Sequence, residues 1–139
     1  MTVLDAYAIV AYLRGEAAAN EVEGLLRSPT WLAAVNEAEV MDQLVRVDGQ
    51  DPDEVEIRLA TLRIDGMTVE PASEELAIVA GTLRARHYNR GTRAVSLADC
   101  FAAATALAIE QPLATADPHL LDLMRSENGT VHPLPPRGP

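Results

Sequence analysis

Residues 2–13, TVLDAYAIVAYL, run from three apolar-flanked positions into an aspartate and then into an apolar-faced helix. Thr2 to Leu4 is too short to be helical, and it ends at Asp5. Ala6 to Leu13 places Ala6, Ile9, Val10 and Leu13 on one face, the spacing of an amphipathic helix. A strand that passes through an acid into a helix is the unit from which open α/β sheets are built. In a parallel sheet such junctions converge on one crevice at the carboxyl ends of the strands.

The pattern recurs along the chain. Trp31 to Val35 reads as a buried strand, with Asn36 capping a helix from Glu37 to Val47. Gly66 to Glu70 (GMTVE) alternates as a strand, and Leu113 to Thr115 is a short one. Asp117-Pro118 then gives a cap followed by proline at the first helical position, as Asp51-Pro52 does earlier. Between the strands lie helices at about 17–27, at 52–63 (apolar at Val55, Ile57, Leu59 and Leu62), and from Ser73 to His87 (Leu76, Val79, Ala80 and Leu83). Ser96 caps an apolar helix, Leu97 to Glu110, and Gly129 turns the chain into a last strand, Thr130 to Leu134. Strands alternating with one or two helices define an α/β fold with a mostly parallel sheet. The expectation is a single domain over residues 1–134, with a tail, 135–139, that frays.

The composition narrows the function. No apolar run approaches the ~20 residues of a membrane span. Met1 leads directly into the first strand without a basic or apolar leader, so a cytoplasmic location is expected. The one cysteine, Cys100, lies in an apolar helical run with no histidine near it in sequence and reads as a small buried hydrophobe. The formal charge is -10, from 21 acids and 11 bases, a balance unsuited to nucleic acid if it were spread evenly. It is not. Every base is an arginine, and Arg84, Arg86, Arg90 and Arg93, with His87, fall in a window free of acids. A local basic patch beside an acidic site is what a nuclease requires; Arg at a helix end is also favoured by the helix dipole alone.

Four carboxylates stand out: Asp5, Glu39, Asp99 and Asp117. Asp5 and Asp117 are also good helix caps. Glu39 lies in the first turn of its helix, where the dipole favours an acid, and Glu37 competes with it for the same role. Asp99 is the only charge between Arg93 and Glu110, on a helix apolar nearly all round, where an unpartnered carboxylate is costly. Carboxylates gathered in one pocket raise one another's pKa, and a divalent cation relieves the repulsion. That chemistry points to metal-dependent cleavage of phosphodiesters. Magnesium takes hard oxygens, keeps several waters, and is usually held by one or two carboxylates plus substrate phosphate. Two such ions activate a water and stabilise the leaving oxygen.

The segments VLDAYAIVAYL, AVNEAEV, SLADCFAAATALA and LATAD occur in the order and rough spacing of the PIN-domain ribonucleases, over residues 3 to about 124. The resemblance is to the VapC-type toxins of toxin–antitoxin pairs. It implies a three-layer α/β/α sandwich in which Asp5, Glu39, Asp99 and Asp117 hold one or two Mg²⁺ or Mn²⁺ ions. It implies an endoribonuclease that works through metal-activated water, a homodimer, and inhibition by a cognate antitoxin protein. It favours Glu39 over Glu37, because the family's acid sits in an Ala-Glu-aliphatic setting, as in Ala38-Glu39-Val40. Thr115 matches a hydroxyl residue the family places two before its last aspartate. Asp5 and Asp99 are expected as the main ligands, Glu39 and Asp117 as the rest of the shell, and Arg86, Arg90 or Arg93 as RNA contacts. The alternative is a catalytically silent PIN-like module that binds protein or RNA.

Other chemistries fit less well. A phosphoryl-transfer enzyme with Asp5 as nucleophile needs a lysine, which the chain lacks, or a second aspartate where Tyr7 stands. No glycine-rich loop follows the first strand, so a dinucleotide site is unsupported. His87, His119 and His132 are scattered and do not form a zinc pattern.

Overall fold

The computed structural model describes residues 1–138 and consists of five strands and seven α-helices. In chain order they are β1 (Thr2–Leu4), α1 (Ala6–Arg14), α2 (Ala19–Leu26), β2 (Thr30–Ala33), α3 (Ala34–Asp42), α4 (Pro52–Ile64), β3 (Met67–Glu70), α5 (Glu74–His87), α6 (Leu97–Ile109), β4 (Leu113–Thr115), α7 (Pro118–Ser126) and β5 (Val131–Pro133). A π-helical turn, Gln43–Val47, extends α3.

The strands form one sheet in the order β3-β2-β1-β4-β5, and every neighbouring pair is parallel. β1 is central, with Val3 opposite both Trp31 and Leu113. Because alternate residues of a strand face opposite sides, Leu4 and Ala114 pack into one apolar layer while Val3 and Leu113 pack into the other. The first layer contains α1 to α4, with Ile9, Val22, Val40, Leu44, Val55 and Leu59 buried. The second contains α5, α6 and α7, with Leu83, Ala103, Leu120 and Met124 buried. The fold is therefore the expected three-layer α/β/α sandwich. Small side chains dominate the sheet-facing stripe of α6, where Ala102, Ala103, Ala104 and Ala106 are buried, so this helix can lie close to the strands. No helix among the described residues is long and apolar enough to cross a membrane.

Several local expectations are corrected. Val35 and Asn36 are helical, because α3 starts directly after β2 at Ala34 with no side-chain cap and no loop. Asn36 is thus a first-turn residue of the helix rather than its N-cap, and Glu39 lies in the second turn rather than the first. In α4 the inward stripe is Val55, Leu59 and Leu62, at helical spacing, while Ile57 faces outward. Leu97, at the start of α6, is exposed.

Of the tail expected to fray, residue 139 lies outside the described residues, and the preceding ones carry contacts. Leu134 is buried and donates its amide to the Thr115 carbonyl at 2.9 Å. The Tyr7 hydroxyl donates to the Pro135 carbonyl at 2.7 Å, and Arg137 pairs with Glu16 at 2.8 Å. At the turn into β5, an added Cβ on Gly129 would stand 2.6 Å from Met124 Cε and 3.2 Å from the Met124 carbonyl oxygen. Gly129→Ala is expected to lower stability by about 1–3 kcal/mol through overpacking, measured as a drop in denaturant midpoint at unchanged m-value.

Candidate active site

The four carboxylates reach one crevice from four different elements. Asp5 closes β1, and Asp117 follows β4 by two residues. These strands are neighbours, so both acids emerge at the same end of the sheet. Glu39 comes from α3, which leaves β2 on the other side of β1. Asp99 comes from the first turn of α6. The crevice has a volume of about 310 Å³, and its lining includes Asp5, Glu39, Asp99 and Asp117 together with Asp42 and Arg137. Glu37 is not part of it. That side chain pairs instead with Arg63, 3.0 Å away, so of the two acids Glu39 is the one that lines the crevice.

Each acid is also held locally. Asp5 accepts the Ala8 amide at 2.9 Å and Asp117 the His119 amide at 2.9 Å, both as N-caps. Asp99 forms a capping box with Ser96: the Ser96 hydroxyl accepts the Asp99 amide at 3.0 Å, and the Asp99 carboxylate accepts the Ser96 amide at 2.9 Å. Asp99 is therefore not the unpartnered acid that its apolar neighbours suggest; the S-x-x-D spacing from Ser96 is the signal for its partner. Thr115 is fully buried, and its hydroxyl accepts the Asp117 amide at 3.1 Å, so it braces the loop that carries the last acid.

Electrostatics mark three of these acids, Asp5, Glu39 and Asp99. Asp5 is only 5% exposed. Burial pushes its carboxyl up to about 7; Thr115 and the Ala8 amide oppose that rise, and the charges of Asp99 and Glu39 add to it. Glu39 is raised by burial and by Asp99 against a hydrogen bond from Asn36. Burial also raises Asp99; its bond from the Ser96 amide opposes this, and the charge of Asp117 reinforces it. Mutual repulsion among semi-buried carboxylates is the state that a cation relieves. Among the described residues, no three His, Cys, Asp or Glu side chains form a ready-made cage. An open set of hard oxygens in a crevice with room for water and phosphate nevertheless suits magnesium or manganese, which need few protein ligands.

The arginine-rich segment precedes the helix that carries Asp99. It leads straight into Ser96 and α6, and the His119 ring bonds the Thr92 carbonyl at 3.1 Å. Arg86 pairs with Glu127 at 2.7 Å, and His87 bonds the same carboxylate at 2.8 Å. Arg93 donates to His87 Nδ1 at 2.7 Å and to Ser126 at 3.3 Å. Arg84 lies over the Tyr88 ring, 4.3 Å from its centroid. Among the described residues Arg90 is exposed and makes no hydrogen bond or ion pair. Arg86 and Arg93 thus fasten the segment to α7, and Arg90 is left facing solvent. Arg137, on the crevice rim, went unnoticed in the sequence because the proline-rich tail carries no periodic signal. Cys100 is buried and its thiol is pushed up to about 11, chiefly by burial, in keeping with a packing role.

Residues 2–125 match the family model of the PIN domain, and the chain belongs to that family. No curated protein matches it in sequence. Its fold is similar to that of a sarcin-ricin-loop-cleaving VapC toxin of Mycobacterium tuberculosis, with TM-score 0.72 and 18% identity over 97% of this chain and 100% of that one. FitAcB from Neisseria gonorrhoeae gives 0.68 and 22% over 94% and 96%. A VapBC complex of Rickettsia felis bound to a DNA fragment from its promoter gives 0.68 and 15% over 96% and 98%. At these identities the likeness is one of fold.

Proposed function

We propose that the protein is a metal-dependent endoribonuclease and the toxin component of a VapBC-type toxin–antitoxin pair. The observation that carries this reading is the convergence of Asp5, Glu39, Asp99 and Asp117 from four elements on one crevice. Membership of the PIN family and the likeness to toxin folds support it. Asp5 and Asp99 would hold one or two Mg²⁺ or Mn²⁺ ions, with Glu39 and Asp117 completing the shell directly or through water. Such an ion supplies Lewis acidity at the scissile phosphate and lowers the pKa of a bound water. The protein's own contribution is positional: the caps on Asp5, Asp99 and Asp117 hold three acids on rigid helix starts, and Thr115 fixes the last loop. By analogy with the antitoxin-bound relatives, the partners would be RNA as substrate, a cognate antitoxin and a second copy of the chain.

The direct test is cleavage of single-stranded RNA by partner-free protein with Mg²⁺ or Mn²⁺ against EDTA. Metal-dependent cutting is the expected result. No cutting together with no metal binding would leave the silent binding module as the correct reading.

Substrate contact is expected at Arg90, the free cation of the basic segment. Arg90→Gln should weaken binding of single-stranded RNA about fivefold at 0.1 M salt and reduce the salt slope by about 0.7, with no change in melting temperature. Filter binding across a salt series, on a cleavage-silent background, measures both. An unchanged slope would remove Arg90 from the RNA path.

A further inference from the structure

We propose that Asn36 is a positioning residue for the acid crevice, its amide fixing the Glu39 carboxylate against the first turn of α6 so that Glu39 and Asp99 are presented to a divalent cation at a set separation. The inference rests on the metal-dependent nuclease reading.

Asn36 is 1% exposed and lies in the first turn of α3, yet its side chain makes no capping bond. Its Nδ2 donates to Glu39 Oε2 at 3.0 Å and to the Ala98 carbonyl at 3.1 Å. Both partners are acceptors, so only the NH₂ end of the amide can face them. One side chain thereby joins an acid on α3 to the residue that precedes Asp99 on α6. The other end of the amide is the revealing part. Among the described residues Asn36 Oδ1 is buried with no hydrogen-bond partner, and an unpaired buried acceptor destabilises a fold. An apolar side chain of similar volume would avoid the orphaned oxygen but would make neither bond. The orphaned oxygen is therefore a cost carried by a side chain that joins Glu39 to the turn bearing Asp99. Glu39 itself follows β2 by most of two helical turns, so unlike the capped acids it is not fixed by a helix start and depends on a side-chain tether.

The test compares the full-length parent with Asn36→Leu, Asn36→Ala and Asp99→Asn. Melting temperature without metal, Mn²⁺ affinity by titration calorimetry, and kcat and KM on single-stranded RNA are the readouts. A positioning role predicts that Asn36→Leu melts at or above the parent temperature yet binds Mn²⁺ roughly 10- to 100-fold more weakly, the range for lost outer-sphere partners. It also predicts a lower kcat at unchanged RNA KM. If Asn36→Leu packs poorly, Asn36→Ala carries the same comparison with a smaller side chain. A lower melting temperature with unchanged Mn²⁺ affinity in both would make Asn36 merely structural and overturn the proposal. Parent protein that binds no Mn²⁺ in an Asp99-dependent way would instead overturn the nuclease reading, and this inference with it.

Discussion

Asp5→Asn is expected to yield a metal-free protein more stable than its parent and without RNA cleavage. The two effects share one cause. Asp5 is buried at the end of the central strand, and its carboxyl is raised from 3.8 to about 7. A raised pKa means the folded state binds the proton more tightly than the unfolded chain does. The associated stability is fully present below about pH 4 and is lost as pH rises through 7. At pH 8 the folded protein bears the whole penalty of a buried charge, about 4 kcal/mol for a rise from 3.8 to about 7 at 1.36 kcal/mol per unit. Asparagine is as good an N-cap as aspartate, so the bond from the Ala8 amide can persist while the charge goes. Thermal melts in EDTA should place the variant on the order of 10–15 °C above the parent at pH 8, with the gap closing as pH falls toward 4. Adding Mg²⁺ or Mn²⁺ should raise the parent's melting temperature and leave the variant's nearly unmoved. A variant that is less stable than its parent at pH 8 would contradict the burial argument, whatever its activity.

Asp99→Asn tests the opposite end of the crevice. Its side-chain oxygen can still accept the Ser96 amide, so the capping box and the start of α6 should survive. Only the charge and one hard-oxygen ligand are lost. Cleavage should fall by at least about 100-fold, since even outer-sphere changes at metal sites cost 10–100-fold, with circular dichroism and melting temperature close to those of the parent. Retained metal-dependent cleavage would remove Asp99 from the site and leave its role as that of a cap.

The opening strand, the proline-marked helix starts at Asp51 and Asp117, and the alternation that makes a parallel sheet were all legible in the residue order, because caps and short apolar runs are local signals. The acids were legible for mixed reasons. Asp5 and Asp117 stand where strands end, and topology brings such places together. Asp99 stood out as an unpartnered charge, whereas its Ser96 partner satisfies it three residues away. Asn36 was misread because β2 runs into α3 without a loop, so the polar residue nearest the expected boundary looked like a cap. Its true partners, Glu39 and Ala98, include one 62 residues distant, which no local pattern reports. The placement of Arg137 depends on β5 and on Tyr7, contacts that span more than a hundred residues.

The central place of β1 has a consequence for how the protein is made. Residues 2–4 leave the ribosome ahead of the other four strands, yet their second neighbour in the sheet is β4 at 113–115. Until β4 emerges, β1 has an open edge, and the crevice lacks Asp117. At translation rates of about 5–20 residues per second, roughly 6 to 22 s separate synthesis of the first acid from that of the last. The nascent domain therefore carries its carboxylates unassembled until β4 has been made, and the order of elements along the polypeptide sets the moment at which the crevice can close.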